Sequence, residues 1–188
     1  MVNIAVLGFG TVGSGVYEIV TKNKDVITRK AGMQINIKYV LDLREFPDHE
    51  VNKVLTHNVD DILNDESIQV VVEVMGGVDV PYQFVKAALQ KGKHVVTSNK
   101  ALVAAHGPEL LHIAKEKNVN FLFEASVGGG IPILRSMNRS LTADVILEVM
   151  GILNGTTNYI LTEMTENDYA FDDVLKTAQE LGYAEKDP

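Results

Sequence analysis

The chain has no cysteine, which excludes disulfides, thiolate metal ligands and any mechanism built on a cysteine nucleophile. It has no apolar run near the roughly 18 residues of a membrane-spanning helix. Nowhere do lysine and arginine cluster around aromatic residues as a nucleic-acid site requires, and a net charge of -8 would repel a polyanion. Neither a membrane nor nucleic acid is therefore an expected partner. No basic segment with a cleavage site precedes the first β-branched run, so the expected compartment is the cytoplasm. Internal repeats and low-complexity segments are absent as well.

The 188 residues, 46% of them hydrophobic, suffice for one full domain and part of a second. Short β-branched runs alternate with segments of helical period. Residues 2–7 (VNIAVL), 35–41 (INIKYVL), 70–74 (VVVEV), 94–97 (HVVT) and 120–123 (NFLF) read as strands. Between them, residues 11–20 place Val12, Val16, Ile19 and Val20 on one helical face, residues 82–90 form a second helix, and residues 108–117 a third, opened by Pro108 after Gly107. Apolar strands alternating with helices predict an α/β fold, a Rossmann-type doubly wound parallel sheet covered on both faces. After Glu124 the texture changes: a glycine-rich turn (SVGGGIP) precedes a helix over 133–141, a strand over 145–151 and a helix over 157–163. These segments read as the truncated start of an α+β substrate domain, with domains 1–125 and 126–188.

The strongest chemical signal is GFGTVG, Gly8, Phe9, Gly10, Thr11, Val12 and Gly13, directly after the first strand and opening the first helix. In that context each glycine has a task in dinucleotide binding: Gly8 the tight turn, Gly10 the approach of a pyrophosphate, Gly13 the close packing of helix on strand. The amides of Thr11 and Val12 would face the phosphates at the positive end of the helix dipole; the alternative is a purely structural glycine turn. At the end of the second strand stand Asp42, which would favour NAD by binding the ribose hydroxyls, and Arg44, which would favour NADP by pairing with a 2′-phosphate. The choice between NADP and NAD stays open. Two later loops, MGG with Gly76 at its centre and TSNK ending in Lys100, follow strands whose carboxyl ends should line the ligand crevice. Lys100 is either a solvated surface charge or a lysine held near the apolar Ala101-Leu102-Val103, where lost hydration would make it a better proton donor. His106 and His112 lack the i, i+4 spacing of a helical zinc pair.

The segments GFGTVGSGV, TSNKALVA, EASVGGGIPI, GILNGTTNYIL and GYAEKDP stand in the order and near the spacings of homoserine dehydrogenases, and together they cover essentially the whole chain, which thus resembles that family. The resemblance implies NAD(P)-dependent interconversion of L-homoserine and L-aspartate 4-semialdehyde on the route to threonine and methionine. It also implies that Lys100 is the first active-site lysine and that Glu185 holds the substrate's ammonium group. The turn from Glu124 would bind a monovalent cation, a sodium ion, through the carbonyls of Glu124, Val127, Gly129 and Ile131; a bare glycine hinge is the alternative. Carbonyl oxygens suit a hard cation. Gly155, Thr156 and Thr157 open a helix whose free amides would bind the substrate's carboxylate, unless Thr156 or Thr157 is simply the helix cap. The family's second, principal donor lysine lies downstream of its AE-x-DP motif, so the 188 residues by themselves are expected to bind cofactor without substantial turnover, and either to self-associate as a homo-oligomer through uncovered apolar surface or to be disordered after about Asn154. An acylating dehydrogenase is excluded by the missing cysteine, which leaves a non-catalytic NAD(P)-sensing module as the rival reading.

Overall fold

A computed structural model describes residues 1–151 and 154–184. The chain forms two compact units, Met1–Asn138 and Arg139–Pro188. The first runs β1 (Val2–Leu7), α1 (Thr11–Lys22), α2 (Lys24–Ala31), β2 (Ile35–Leu41), a 3-10 turn (Glu50–Lys53), β3 (Leu55–Thr56), α3 (Asp60–Leu63), β4 (Ile68–Glu73), α4 (Asp79–Gln90), β5 (His94–Thr97), α5 (Lys100–Glu116), β6 (Phe121–Leu122), α6 (Ala125–Gly128) and most of α7 (Ile133–Ser140). The six strands make one wholly parallel sheet in the order β3-β2-β1-β4-β5-β6. This is the expected Rossmann-type fold.

Both faces of the sheet are apolar because both are covered. Along β1, Ala5 and Leu7 enter one core with α3, α4 and α5, whereas Ile4 and Val6 enter the other with α1 and β2. Successive side chains of a strand point to opposite faces, so a strand sandwiched between helix layers must be hydrophobic at every position. The chain starts in mid-sheet, builds outward through β2 and β3, then returns to add β4, β5 and β6 on the other side. The sheet direction therefore reverses between β1 and β4. Leu41, Leu7, Glu73 and Thr97 stand level across the sheet, each paired with the next, which brings the loops after four strands to one edge. A doubly wound sheet binds its ligands at that edge, at the reversal.

Several sequence expectations need correction. The inward stripe of α1 is Gly13, Val16, Tyr17 and Val20, while Val12 and Ile19 are exposed. Val16 and Val20 face inward as expected, but Gly13 and Tyr17 take the places expected of Val12 and Ile19, because Gly13 carries no apolar signal although it packs against the Gly8 backbone. The third helix starts at Lys100, with Pro108 inside it. The Asn99 side chain accepts a hydrogen bond from the Leu102 amide at 3.0 Å and caps the helix eight residues upstream of the expected start. Proline at 108 gives up its own N–H bond and crowds the carbonyl of Ala104, yet α5 continues through it. In this unit β3, α2, α3, α6 and the 3-10 turn were not expected; a two-residue strand or a four-residue helix is too short to show a period.

In the second unit, α8 (Gly155–Asn167) and α9 (Phe171–Glu180) pack through Ile160, Val174, Ala178 and Ala184. Residues 145–151 form no strand. Their apolar side chains are exposed, Leu147 by 93% and Met150 by 84%. A strand needs backbone partners for its amides and carbonyls as well as a suitable pattern, and no described residue pairs with this segment.

Candidate functional site

The loop after β1 brings three glycines to the reversal point, each with a different environment. Gly8 has φ +98°, and a Cβ there would lie 3.0 Å from Met75 Cγ, so the turn itself requires glycine. At Gly13 a Cβ would meet the Gly8 carbonyl oxygen at 2.0 Å. Around Gly10 a Cβ would find nothing within 4 Å; this position opens onto the crevice. Gly10 is also the N-cap of α1 and has no side chain to satisfy the first amides, so those of Thr11 and Val12 are oriented for an anion. The ring of Phe9 turns away into the core, edge-on to Phe46 at 4.8 Å and His49 at 5.3 Å. This anchors the loop from below, and only the backbone of Phe9 takes part in the site.

That backbone is gripped by the residues at the end of β2. The Phe9 amide donates to Asp42 Oδ2 at 2.8 Å, and Arg44 Nη2 donates to the Phe9 carbonyl at 3.1 Å. Arg44 also donates to Asp42 from its amide (3.0 Å) and Nε (2.9 Å) on Oδ1, and from Nη2 (2.9 Å) on Oδ2. Four donors therefore occupy the four in-plane acceptor sites of one carboxylate. The Arg44 side-chain bonds hold the Asp42 carboxyl well below the usual carboxylate range, against a smaller opposing effect of burial. In sequence, Asp42 and Arg44 read as rival ribose contacts; folded, they are one ion pair. Below them a cavity of about 530 Å³ is lined by Gly8, Asp42, Arg44, His57, Met75 and Phe84 among others. His57 carries no motif and escaped the sequence reading. Its ring meets the Asp42 carbonyl at 2.6 Å and Glu45 at 2.9 Å, and these contacts raise its pKa.

The loops after β4 and β5 complete the edge. Gly76 is open on all sides, and Gly77 takes φ +81°. The Asn99 side chain donates to the Gly77 carbonyl at 2.8 Å, tying the two loops together. Lys100 is the first residue of α5 and is exposed. It is not held against the apolar surface that follows, because Leu102, two residues on, lies about 200° around the helix and is fully buried. A cation at the positive end of a helix is disfavoured by the helix dipole by roughly 0.3–1 kcal/mol. Glu73 also went unrecognised in the sequence: it is fully buried between the two loops.

Of the predicted cation ligands, the Glu124 carbonyl accepts from the Val127 amide at 3.2 Å and the Ile131 carbonyl from the Ile133 amide at 3.0 Å. A second lone pair remains on each. The Glu124 carboxylate accepts from the amides of Leu134 (2.7 Å) and Arg135 (2.8 Å) and so closes the turn over the start of α7. In the second unit, Gly155, Thr156 and Thr157 form the first turn of α8. Its cap is neither threonine: Asn154 Oδ1 accepts from the Thr157 amide at 2.8 Å, while the Thr156 hydroxyl donates to the Tyr183 carbonyl. Glu185 lies outside the described residues.

Known proteins resemble this chain in sequence and fold. Residues 8–124 match the family profile "Homoserine dehydrogenase, NAD binding domain", and residues 132–188 match the profile "Homoserine dehydrogenase". The homoserine dehydrogenase of Bacillus subtilis (strain 168) is 47% identical over 190 aligned residues, covering 100% of this chain and 44% of the relative. The crystal structure of a homoserine dehydrogenase from Thiobacillus denitrificans superposes with a TM-score of 0.88 at 44% identity, over 100% of this chain and 44% of the other. A hyperthermophilic archaeal homoserine dehydrogenase mutant in complex with NADPH matches at 27% identity and TM-score 0.75, over 100% of this chain and 63% of that one. The chain thus spans about 44% of the length of the Bacillus relative. No helix among the described residues is long and apolar enough to cross a membrane. The chain belongs to the homoserine dehydrogenase family, and its six-stranded unit carries that family's NAD-binding domain.

Proposed function

We propose that this chain serves the NAD(P)-dependent interconversion of L-homoserine and L-aspartate 4-semialdehyde, with residues 1–125 as the nucleotide-binding domain and 126–188 as the beginning of the substrate domain. The observation that carries this reading is the sheet edge itself: a glycine loop open at Gly10, beside an acid–base pair at the end of β2, at the reversal of a parallel sheet. When bound, the nicotinamide supplies or accepts the hydride. The protein would bind the pyrophosphate on the amides of Thr11 and Val12, orient the ribose at Asp42 and Arg44, and present Lys100 to the oxygen that gains charge when the aldehyde is reduced. The amides at the start of α8 and the Glu185 carboxylate would hold the two ends of the amino acid. A hard monovalent cation such as sodium would take the second lone pairs of the carbonyls of Glu124, Val127, Gly129 and Ile131 and brace the turn between the two segments.

Calorimetric titration with NAD and NADP tests the nucleotide part directly. Micromolar or tighter binding of at least one is expected, and no binding of either would overturn the reading.

The saturated Asp42 carboxylate makes a sharper prediction. Ribose hydroxyls can reach Asp42 fully only if Arg44 lets go, whereas Arg44, 61% exposed and already aligned, is placed to meet a 2′-phosphate. Arg44→Ala is therefore expected to weaken NADP at least tenfold and to leave NAD unchanged or tighter. Asp42→Ala should weaken both, since it also releases the Phe9 amide. Equal losses for both cofactors in Arg44→Ala would show that the pair does not discriminate between them.

A further inference from the structure

Glu73 is the last residue of β4 and has no exposed surface. Among the described residues no lysine or arginine pairs with it; its influences are burial, which raises its pKa, and opposing hydrogen bonds from Thr97, Met75 and Asn99. A buried carboxylate without a cation is costly unless hydrogen bonds satisfy it. Here they do so in one direction. The Met75 amide donates to Oε1 at 2.8 Å, the Thr97 hydroxyl donates to Oε2 at 2.5 Å, and the Thr97 oxygen accepts the Asn99 amide at 2.9 Å. Asn99 then uses its side-chain N–H on the Gly77 carbonyl and its side-chain oxygen on the Leu102 amide, at the first turn of α5. The strands place these groups together, since Glu73 and Thr97 are register partners in neighbouring parallel strands.

We propose that Glu73 is a positioning residue that locks the loop after β4 to the loop after β5, and thereby fixes the end of the crevice that receives the nicotinamide half of the cofactor. The placement follows from topology. The ribose-reading pair lies on the β2 side of the reversal, so a dinucleotide laid across the edge extends its other half toward β4 and β5. Glutamine at position 73 keeps the shape but not the bonding. Its amide oxygen can accept from Met75 or from Thr97, and its NH2 group then confronts the other donor or leaves the Thr97 hydroxyl without an acceptor. The cofactor part of this inference rests on the nucleotide-binding reading above, whereas the lock between the loops is a property of the free protein.

The test has two readouts. In the nucleotide-free chain, Glu73→Gln should speed amide hydrogen exchange at least tenfold at Met75, Asn99 and Leu102 relative to Leu7 and Val71 in the sheet centre. In titrations, the same variant should lose at least tenfold in affinity for whichever of NAD or NADP the parent binds, with ADP, which fills only the adenine half, held within twofold. Thr97→Val should reproduce both effects and Thr97→Ser, which keeps the hydroxyl, should restore the parent values; this pair decides the matter if Glu73→Gln does not fold. Unchanged exchange at the three loop amides, or an equal loss for ADP and the dinucleotide, would overturn the proposal. If the parent binds neither dinucleotide, the nucleotide reading fails, and the exchange pattern alone then supports or refutes the lock.

Discussion

Gly10→Val is expected to lower affinity for NAD or NADP at least a hundredfold while leaving the fold intact. Gly10 sits at φ −84°, ψ −158°, an extended conformation open to any residue, and a Cβ there has no protein neighbour within 4 Å. The isopropyl group thus strains nothing in the free protein. The change costs about 1 kcal/mol or less as an inferior N-cap. In the complex it occupies the space through which a pyrophosphate must approach the amides of Thr11 and Val12, and losing that anion site is worth about 2.7 kcal/mol or more for a hundredfold effect. Circular dichroism melts should fall within about 4 °C of the parent while calorimetric heats vanish. Undiminished affinity in a folded variant would show that the loop does not hold a pyrophosphate.

Gly13→Ala should do the opposite, damaging the fold before any ligand is added. The new methyl would stand 2.0 Å from the Gly8 carbonyl oxygen and 2.9 Å from its carbon. Both are backbone atoms of the β1–α1 turn, so neither can rotate away as a side-chain end would. Relief requires α1 to lift from the sheet, which uncovers Val16, Tyr17 and Val20 from the core around Val6 and Val40. Overpacking of this kind costs 1–3 kcal/mol in adaptable cores and more where backbone blocks relaxation. About 3 kcal/mol or more is expected, a drop of roughly 6–12 °C in melting temperature for a domain of this size. A melting temperature within 2 °C of the parent would contradict the packing described. The pair of substitutions separates two glycines that look alike in the motif: around one the space is open, around the other it is closed by the protein itself.

The family assignment supplies the chemical context in which these residues are read, over a length that is 44% of the Bacillus relative. The level row of Leu41, Leu7, Glu73 and Thr97 makes the edge a single surface, so changes at Gly10, Arg44 and Glu73 should affect the pyrophosphate, ribose and nicotinamide regions separately. Sites that share no bonding partner tend to be additive. Arg44 and Gly10 flank Phe9, whose backbone bonds to Asp42 and Arg44, and that pair is where coupling is expected.

What the sequence determined by itself was a set of features with a short period or a local rule. The apolar runs of β1, β2, β4 and β5, the GFGTVG turn and the positions of Asp42, Arg44 and Lys100 could all be read directly, because strand alternation, glycine freedom and helix dipoles act within a few residues. Tertiary structure decided what depended on distant partners. Asp42 and Arg44 became one ion pair rather than rivals because the Phe9 backbone draws both inward. Glu73, an ordinary polar letter in an apolar strand, became a buried lock only when β5 set Thr97 beside it. Lys100 faces outward because Asn99, not Pro108, starts α5. The apolar run of residues 145–151 yielded no strand, since a strand's hydrogen bonds must come from another segment and its own pattern cannot supply them.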